Sequence, residues 1–249
     1  MNRRAIFVFV IVIVAALLLT SPARAADDWN WSITPYIWAS NISEDLLILG
    51  EIEGGGDTEF KDLLDIADTS LQLHFEGTRD RWGLFADLTY VELSDSETGD
   101  LELLRFDVEI QETLFEAGAI FRPGGRSGNF DLLFGARFMS LDEEYHLQLG
   151  ERDPRERSID ETFLDALIGA RYRIPLSERW MISLRGDLSL GGTDFIWTAQ
   201  GLLGWRFGAK RNSAVFVGYQ YRDMKYNKGE NIEVERTFSG PALGVKIGF

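Results

Sequence analysis

The chain contains no cysteine among its 249 residues. That absence excludes a disulfide framework and a lipid anchor attached to an N-terminal cysteine. Histidine is almost as scarce, since His74 and His146 are the only two. The sequence therefore offers little for nucleophilic or metal chemistry, and it contains neither a zinc motif nor a glycine-rich phosphate loop.

Long apolar runs are missing after residue 25. Before it, Arg3 and Arg4 precede an uncharged run over residues 5–19, which is followed by the small-x-small sequence of residues 23–25. This pattern predicts a secretion signal at residues 1–25 and a mature domain at residues 26–249. A transmembrane helix is the weaker interpretation because the run is short for a membrane span.

Positive charge is in short supply as well, with 25 basic residues against 40 acidic ones and a net charge of −15. Loss of a signal that holds three arginines and no acid would make the mature chain more acidic still. Such a chain is not expected to bind nucleic acid or an anionic surface by electrostatic attraction.

What the sequence does have is alternation with a period of two. Leu71, Leu73 and Phe75 alternate with polar residues, as expected for a strand with one face toward lipid and the other toward a lumen. In the strand predicted at 104–121 the apolar face changes between Ile110 and Thr113, which predicts a bulge. The same pattern predicts ten strands: 29–40, 71–78, 82–93, 104–121, 130–141, 162–174, 182–190, 195–207, 214–226 and 234–249.

Short turn sequences alternate with longer acidic stretches between these strands. This predicts an all-β fold, a single antiparallel transmembrane β-barrel of about ten strands with periplasmic turns and extracellular loops at 41–68, 94–102, 142–161 and 227–235. Eight or twelve strands are alternatives, because the first loop could contain another hairpin.

Within the first loop, residues 57–68 have helical spacing and could form a lid or simply cap the rim. The acidic loops could also bind divalent cations.

The last predicted strand has an outward apolar face and ends in an aromatic residue. It resembles the terminal signal that the barrel-assembly machinery reads in outer-membrane proteins. The residues that carry this resemblance are Leu243, Val245, Ile247 and Phe249.

The predicted inner face carries charges of both signs. They could pair and plug the lumen, or they could line a narrow aqueous path that favours anions because arginine outnumbers acid. The lumen-lining candidates are His74, Glu76, Asp87, Glu116, Arg137, Asp165, Arg171, Arg185, Asp187, Arg206, Arg222 and Lys246.

His74 is expected to be a satisfied lumen histidine, since no serine lies two residues to either side. His146 follows an acidic stretch at 142–144, which is typical of a solvated loop, although a surface protease or a metal site would use the same residue types.

Pro35 and Pro241 fall in the two strands that close the ring, where they mark either bulges and strand ends or a lateral opening for lipidic cargo. No catalytic residue, metal or cofactor is predicted.

The sequences 31–38, 60–65 and 81–87 resemble those of a group of proteobacterial outer-membrane barrel proteins to which no function is assigned. The architecture is also similar to that of small OmpW-type barrels, a resemblance that implies passage of small hydrophobic molecules. Neither resemblance transfers a functional residue.

These observations favour an outer-membrane protein of a Gram-negative bacterium, exported by the general secretory pathway, which passes or binds small molecules. The runner-up is a non-transporting structural or surface-interaction barrel that contacts cations, lipopolysaccharide or a partner, and a lipid-modifying or proteolytic enzyme is third. The expected partners are outer-membrane lipid, lipopolysaccharide, the barrel-assembly machinery and a small solute.

Overall fold

The computed structural model describes residues 29–48, 51–58, 67–98, 104–149, 155–209, 211–227 and 232–249. Within these ranges no helix is long and apolar enough to cross a membrane. The predicted signal at residues 1–25 lies outside them, so the domain division stays a prediction. The strands are β1 (Asn30–Trp38), β2 (Asn41–Ile48), β3 (Glu51–Thr58), β4 (Ala67–Arg79), β5 (Trp82–Thr98), β6 (Leu104–Phe121), β7 (Phe130–Leu149), β8 (Arg155–Pro175), β9 (Trp180–Gly191), β10 (Phe195–Phe207), β11 (Ser213–Asn227) and β12 (Ile232–Gly248).

Ten of these strands close an antiparallel barrel. The ring runs from β1 to β4, continues in chain order to β12, and closes where β12 pairs with β1. The predicted antiparallel barrel of about ten strands is therefore confirmed. The end of the barrel that holds Asn30 and Phe249 is called the terminal end below, and the opposite end is called the distal end.

The other two strands form a hairpin that extends the ring at the distal end. β2 pairs with β12 in the same register as β1, since Trp38 is opposite Ala242 and Asn41 is opposite Ser239. β1 and β2 are thus two halves of one strand, interrupted at two residues, and β3 pairs with the free edge of β2. The predicted first loop does contain a hairpin, but the ring still closes with ten strands.

Apolar side chains cover the outside of the barrel. Leu164 is 64% exposed and Ile168 is 54% exposed. Asp165, which lies between them in the sequence and points into the barrel, is 2% exposed. An apolar exterior around a polar interior is the reverse of a water-soluble protein and suits a lipid bilayer. Large aromatics lie on the same outer face near the terminal end: Trp82, Phe121, Tyr172, Trp180, Trp205 and Tyr219.

The predicted bulge between Ile110 and Thr113 is wrong. β6 keeps a continuous register with both β5 and β7 through these residues. Leu114 stays on the inward face, 2% exposed, and packs in an apolar cluster inside the barrel. The change of the apolar face in the sequence therefore marks the part of the strand where the barrel interior is apolar, because an apolar residue takes the inward position that is elsewhere polar.

Several predicted extracellular loops are largely strand. β5 continues to Thr98, β7 continues to Leu149 and β8 begins at Arg155. β8 has 21 residues, whereas a tilted strand needs only about 9–11 to cross a bilayer. The hairpins at the distal end therefore reach well beyond the apolar belt. Of the predicted helix at 57–68, residues 59–66 lie outside the described residues, and those on either side belong to β3 and β4.

The two prolines of the closing strands lie where the hydrogen-bond ladders are interrupted. Pairing of β1 with β4 ends at Pro35, opposite Leu73, and beyond it the Trp38 N–H donates to the Gln72 side chain over 2.6 Å. Pro241 lies beside the interruption between β1 and β2, where its carbonyl accepts from the Ala39 N–H over 2.9 Å. Proline is tolerated at such positions because no ladder bond requires its missing N–H.

Candidate functional site

The interior of the barrel is divided into an apolar distal half and a polar terminal half. Side chains from seven of the ten ring strands fill the distal half, and Ile196 and Val234 among them are fully buried. We call this cluster the plug. Its buried members are Trp38, Leu114, Met139, Phe163, Ile196, Met224, Tyr226, Val234, Phe238 and Ala242.

Beneath the plug, Arg137 on β7 joins two carboxylates from strands on either side of it, Glu116 on β6 and Asp187 on β9. Its guanidinium donates to Glu116 over 2.7 Å and 2.9 Å, to Asp187 over 2.6 Å and to the Ser189 hydroxyl over 2.8 Å. All four side chains are buried. Because charges buried in this way are stable only when they are paired and hydrogen-bonded, the group is a structural crosslink between β6, β7 and β9.

Two further arginines extend this group toward the centre of the lumen. Arg185 donates to Glu116 over 2.8 Å and to Asp187 over 2.9 Å. Arg222 lies 3.6 Å from Glu116 and stacks over the Trp38 ring of the plug, 5.3 Å from its centroid. The charged layer is thus packed directly against the plug.

A second charged group lies nearer the terminal end, around the fully buried Asp131. Arg122 donates to it over 2.7 Å, Arg171 over 2.7 Å and Arg173 over 3.0 Å. Arg171 also donates to Glu76 over 2.6 Å. Three arginines surround one carboxylate here, so the group carries an excess of positive charge.

His74 is held between two carboxylates. Its Nδ1 lies 2.9 Å from Asp87 and its Nε2 lies 3.5 Å from Glu76, while the Tyr36 hydroxyl donates to Asp87 over 2.7 Å. A hydrolase would use such an acid–histidine pair together with a nucleophile. No serine hydroxyl lies within hydrogen-bonding distance of His74 in the described part of the chain.

Asp165 is a buried carboxylate that holds a turn. It accepts from the Ser189 hydroxyl over 3.1 Å and from both the backbone N–H and the hydroxyl of Thr193. Thr193 belongs to the short connection between β9 and β10 at the distal end. This carboxylate therefore fixes a loop and does not face the open part of the lumen.

The open part of the lumen is a cavity of about 480 Å³ in the terminal half. Its wall includes Asn129, Asn212 and Phe249, so it opens at the terminal end, and Tyr36, Thr198 and Arg222 lie where it ends beneath the plug. Nine arginine and lysine side chains line it against three carboxylates. The structure thus contains a polar cavity that is open at one end and is lined by more cationic than anionic side chains.

All twelve lumen-lining candidates lie on inward positions of their strands, but they divide into two sets. Arg137, Asp165 and Asp187 are enclosed by their partners and do not line the cavity. The other nine line it: His74, Glu76, Asp87, Glu116, Arg171, Arg185, Arg206, Arg222 and Lys246.

Sequence reasoning missed Asp131, Arg122 and Tyr36 as members of the site, although each has inward parity in its strand or lies beside a turn. The side chain of His146 lies outside the described residues. No group of three or more His, Asp or Glu placed to hold a metal occurs among the side chains that the structure describes.

The apolar face of the final strand points outward. Leu243 is 53% exposed, Val245 is 37% exposed and the terminal Phe249 is 55% exposed, whereas Ala242 on the other face is buried. Ile247 shares the outward parity. These residues form part of the lipid-facing surface, and their use as an assembly signal stays a prediction.

No protein-family model matches this chain, and no curated protein matches it. Solved structures similar to it include the translocator domain of the autotransporter NalP from Neisseria meningitidis, with 14% identity, TM-score 0.48, and coverage of 99% of this chain and 96% of that one. The outer-membrane protease OmpT from Escherichia coli has 11% identity, TM-score 0.45, and coverage of 92% and 99%. The beta domain of the Bordetella autotransporter BrkA has 13% identity, TM-score 0.42, and coverage of 90% and 99%. Similarity at this level carries no argument about function, and the family resemblance read from the sequence stays a prediction.

Proposed function

We propose that this protein is an integral outer-membrane barrel that binds a small polar molecule from the periplasmic side. The observation that carries the proposal is the cavity of about 480 Å³, open at the terminal end and closed by the plug at the distal end. Binding pockets for small molecules commonly have about 300–1,000 Å³. A cavity of this size and polarity suits a small hydrophilic solute.

The orientation follows from the lengths of the connections. Compact turns join the strands at the terminal end, where Asp80 and Arg81 connect β4 to β5, and long hairpins lie at the distal end. Outer-membrane barrels have short periplasmic turns and longer extracellular loops. The mouth of the cavity therefore faces the periplasm, and the plug faces the outside.

Closure by the plug favours binding over free passage. The plug is apolar and its largest side chains are almost fully buried, so water and ions would have to displace it to cross. Passage in this barrel would require a rearrangement of the plug, whereas binding requires none.

The proposal is tested with the refolded mature barrel in detergent, by the shift of its thermal unfolding midpoint on addition of solute. The panel contains phosphate and citrate as anions, glucose as a neutral solute and choline as a cation. A solute at about 100 times its Kd should stabilise the fold by about 2.7 kcal/mol. At least one class should raise the midpoint in a saturable way.

A variant that fills the cavity supplies the specificity control. Ser183→Phe places a ring in the cavity wall and should abolish the solute-dependent shift, and Thr34→Phe serves if the first variant does not fold. Ala166→Phe adds the same ring to the lipid-facing side and should leave the shift unchanged. Absence of any shift with all four solutes in the folded wild type would refute the proposed function.

A surface-interaction role is the second candidate, favoured by the length of the distal hairpins. β6, β7 and β8 have 18, 20 and 21 residues, so their distal parts extend outside the apolar belt. Projecting hairpins of this kind suit contact with lipopolysaccharide or a partner. The barrel should then bind whole cells or lipopolysaccharide. Loss of this binding when the hairpins are shortened and the cavity is left intact would support the role.

A further inference from the structure

Two cations on the cavity wall stand on either side of a small residue. In the register of the sheet Arg206 on β10 is opposite Ala214 on β11, and Ala214 is opposite Lys246 on β12. All three positions face inward, and Ala214 is 3% exposed. Because neighbouring strands lie about 4.8 Å apart, the two cationic residues start about 10 Å apart across three strands, with only a methyl group between them.

These two cations differ from the other charged residues of the interior. Arg137, Arg171 and Arg185 each form ion pairs with two carboxylates. Within the described residues Arg206 and Lys246 have no ion pair, and the side-chain hydrogen bond of the Arg206 guanidinium is to the Met181 sulfur, 3.3 Å from its Nε. Sulfur is a weak acceptor, so most of the donors of this arginine remain available.

The surroundings supply further positive charge and neutral hydrogen-bonding groups. Arg173, one of the three arginines around Asp131, lines the same cavity. Gln200 and Gln220 lie on β10 and β11 above the pair and are hydrogen-bonded to each other over 2.7 Å. Cations with free donors, placed around a small open space, are the usual elements of a site for carboxylate or phosphate oxygens.

The pairing of the wall strands favours a soluble anion over a lipid headgroup as the ligand. In the terminal half β1 pairs with β12 on one side and with β4 on the other, and β12 pairs with β11. Pairing of β1 with β12 is interrupted at Thr34 and Pro35, beside Lys246, but it has the same register on either side of these two residues. The strands therefore stay adjacent there, and a headgroup whose acyl chains stay in the bilayer would have no lateral entrance. The open mouth admits a molecule from the aqueous phase.

We propose that Arg206 and Lys246 form an anion-binding subsite, which holds a small soluble carboxylate or phosphate over Ala214 in the periplasm-facing cavity. This deepens the proposed function and rests on it, because it names the class of solute. The Arg206 guanidinium donates to one oxygen pair of the anion, and the Lys246 ammonium binds from the other side. Glu76, the carboxylate whose charge acts on Lys246, already accepts from Arg171 over 2.6 Å, so the subsite keeps its positive charge.

The test compares single charge removals in the refolded barrel. Arg206→Gln and Lys246→Gln each keep a polar side chain and remove one positive charge. Each should weaken binding of phosphate and citrate, measured by isothermal titration, by about tenfold or more, which is the effect of losing one charge-assisted hydrogen bond. Lys225→Gln removes the same charge from a residue paired with Glu235 outside the cavity and should leave the affinity unchanged.

Each outcome has one meaning. Anion binding that falls in both cavity variants and weakens with ionic strength supports the subsite. Anion binding of unchanged strength in two folded cavity variants overturns it, and so does binding of glucose or choline in place of the anions, although that result leaves the proposed function standing. If the variants fail to fold, Ala214→Phe, which covers the subsite without touching a charge, should abolish anion binding, and retention of binding contradicts the proposal.

Discussion

At the scale of single residues, the charged interior is organised by partners that are far apart in the chain. Arg137 and Asp187 are separated by 50 residues, and Arg171 and Glu76 by 95. The period-two pattern of the sequence predicts that such residues point inward. It cannot predict which of them meet, because the pairing depends on the curvature of the closed ring and on side-chain reach across it.

The residue with the largest expected effect on stability is Arg137. Arg137→Met keeps much of the volume but removes the more deeply buried of the two guanidiniums that Glu116 and Asp187 share, at 3% exposure of each carboxylate, and leaves only Arg185 to bridge them. Loss of one partner from a buried ion pair typically costs about 3–5 kcal/mol. Urea unfolding of the refolded barrel, followed by tryptophan fluorescence, should show a loss of that size.

The matched comparison for Arg137 is the exposed ion pair of Arg211 with Glu178, whose side chains are 47% and 80% exposed. Glu178→Gln should change the free energy of unfolding by about 1 kcal/mol at most, as expected for a solvated pair. Equal effects of the two variants would contradict the structural role assigned to the buried network.

At the scale of strands, the sequence predicts nearly the whole ring. All ten predicted strands are present, because alternation of apolar and polar residues is a direct consequence of strand geometry with a different solvent on each face. The failure at Ile110 to Thr113 has the same origin. The prediction assumed a polar interior along the full length of each strand, whereas Leu114 and Met139 face an apolar interior at the distal end.

The junction of β1, β2 and β12 depends on Gly240. A Cβ atom at this position would collide with the backbone carbonyl of Ala39 and approach the Ser40 Cα to 3.0 Å. Gly240→Ala should therefore push the interrupted first strand away from β12, at a cost of about 1–3 kcal/mol in the free energy of unfolding. The measurement is urea unfolding followed by circular dichroism.

Gly201 provides the control for that substitution. A Cβ at Gly201 would find its nearest neighbour, the flexible Leu184 side chain, at 3.6 Å. Gly201→Ala should be neutral or slightly stabilising, because alanine restricts the unfolded chain. Comparable destabilisation by both alanines would mean that the close approach at Gly240 has no special importance.

At the scale of the whole molecule, the plug decides how the barrel behaves toward ions. The refolded wild type should give no discrete conductance steps in a planar bilayer, because the apolar plug fills the distal half of the lumen. Replacement of Trp38, Phe163 and Phe238 by alanine should open a conducting path. The result would reverse our interpretation if the wild type conducted as well as this triple variant does.

The control for that experiment is a change of equal size on the outside of the barrel. Phe115, Phe134 and Phe138 are lipid-facing, at 42%, 41% and 37% exposure. Their joint replacement by alanine should leave the bilayer silent. Folding of each variant is checked by circular dichroism before conductance is recorded.

The sequence predicts the overall shape of the barrel well. It predicts poorly which part of the lumen is filled by side chains and which part is open. Arginine in excess of acid at inward positions already indicates an interior that favours anions. The division into a plug and a one-ended cavity arises only when side chains from seven strands, such as Ile196 and Val234, meet across the lumen. That meeting depends on distances through space that a linear pattern does not encode.

The double engagement of β12 also has a consequence for the time course of folding. Its 17 residues pair with β11 along one edge and with β1 and β2 along the other, so Ser32 meets Gly248 across nearly the whole length of the domain. Contacts of such high sequence separation form slowly, because most of the chain must be ordered before they can be made. Until β12 arrives, the growing sheet has two bare edges, each able to recruit another strand. The period of greatest risk of aggregation thus ends in a single late step that closes the ring and docks the β2–β3 hairpin together.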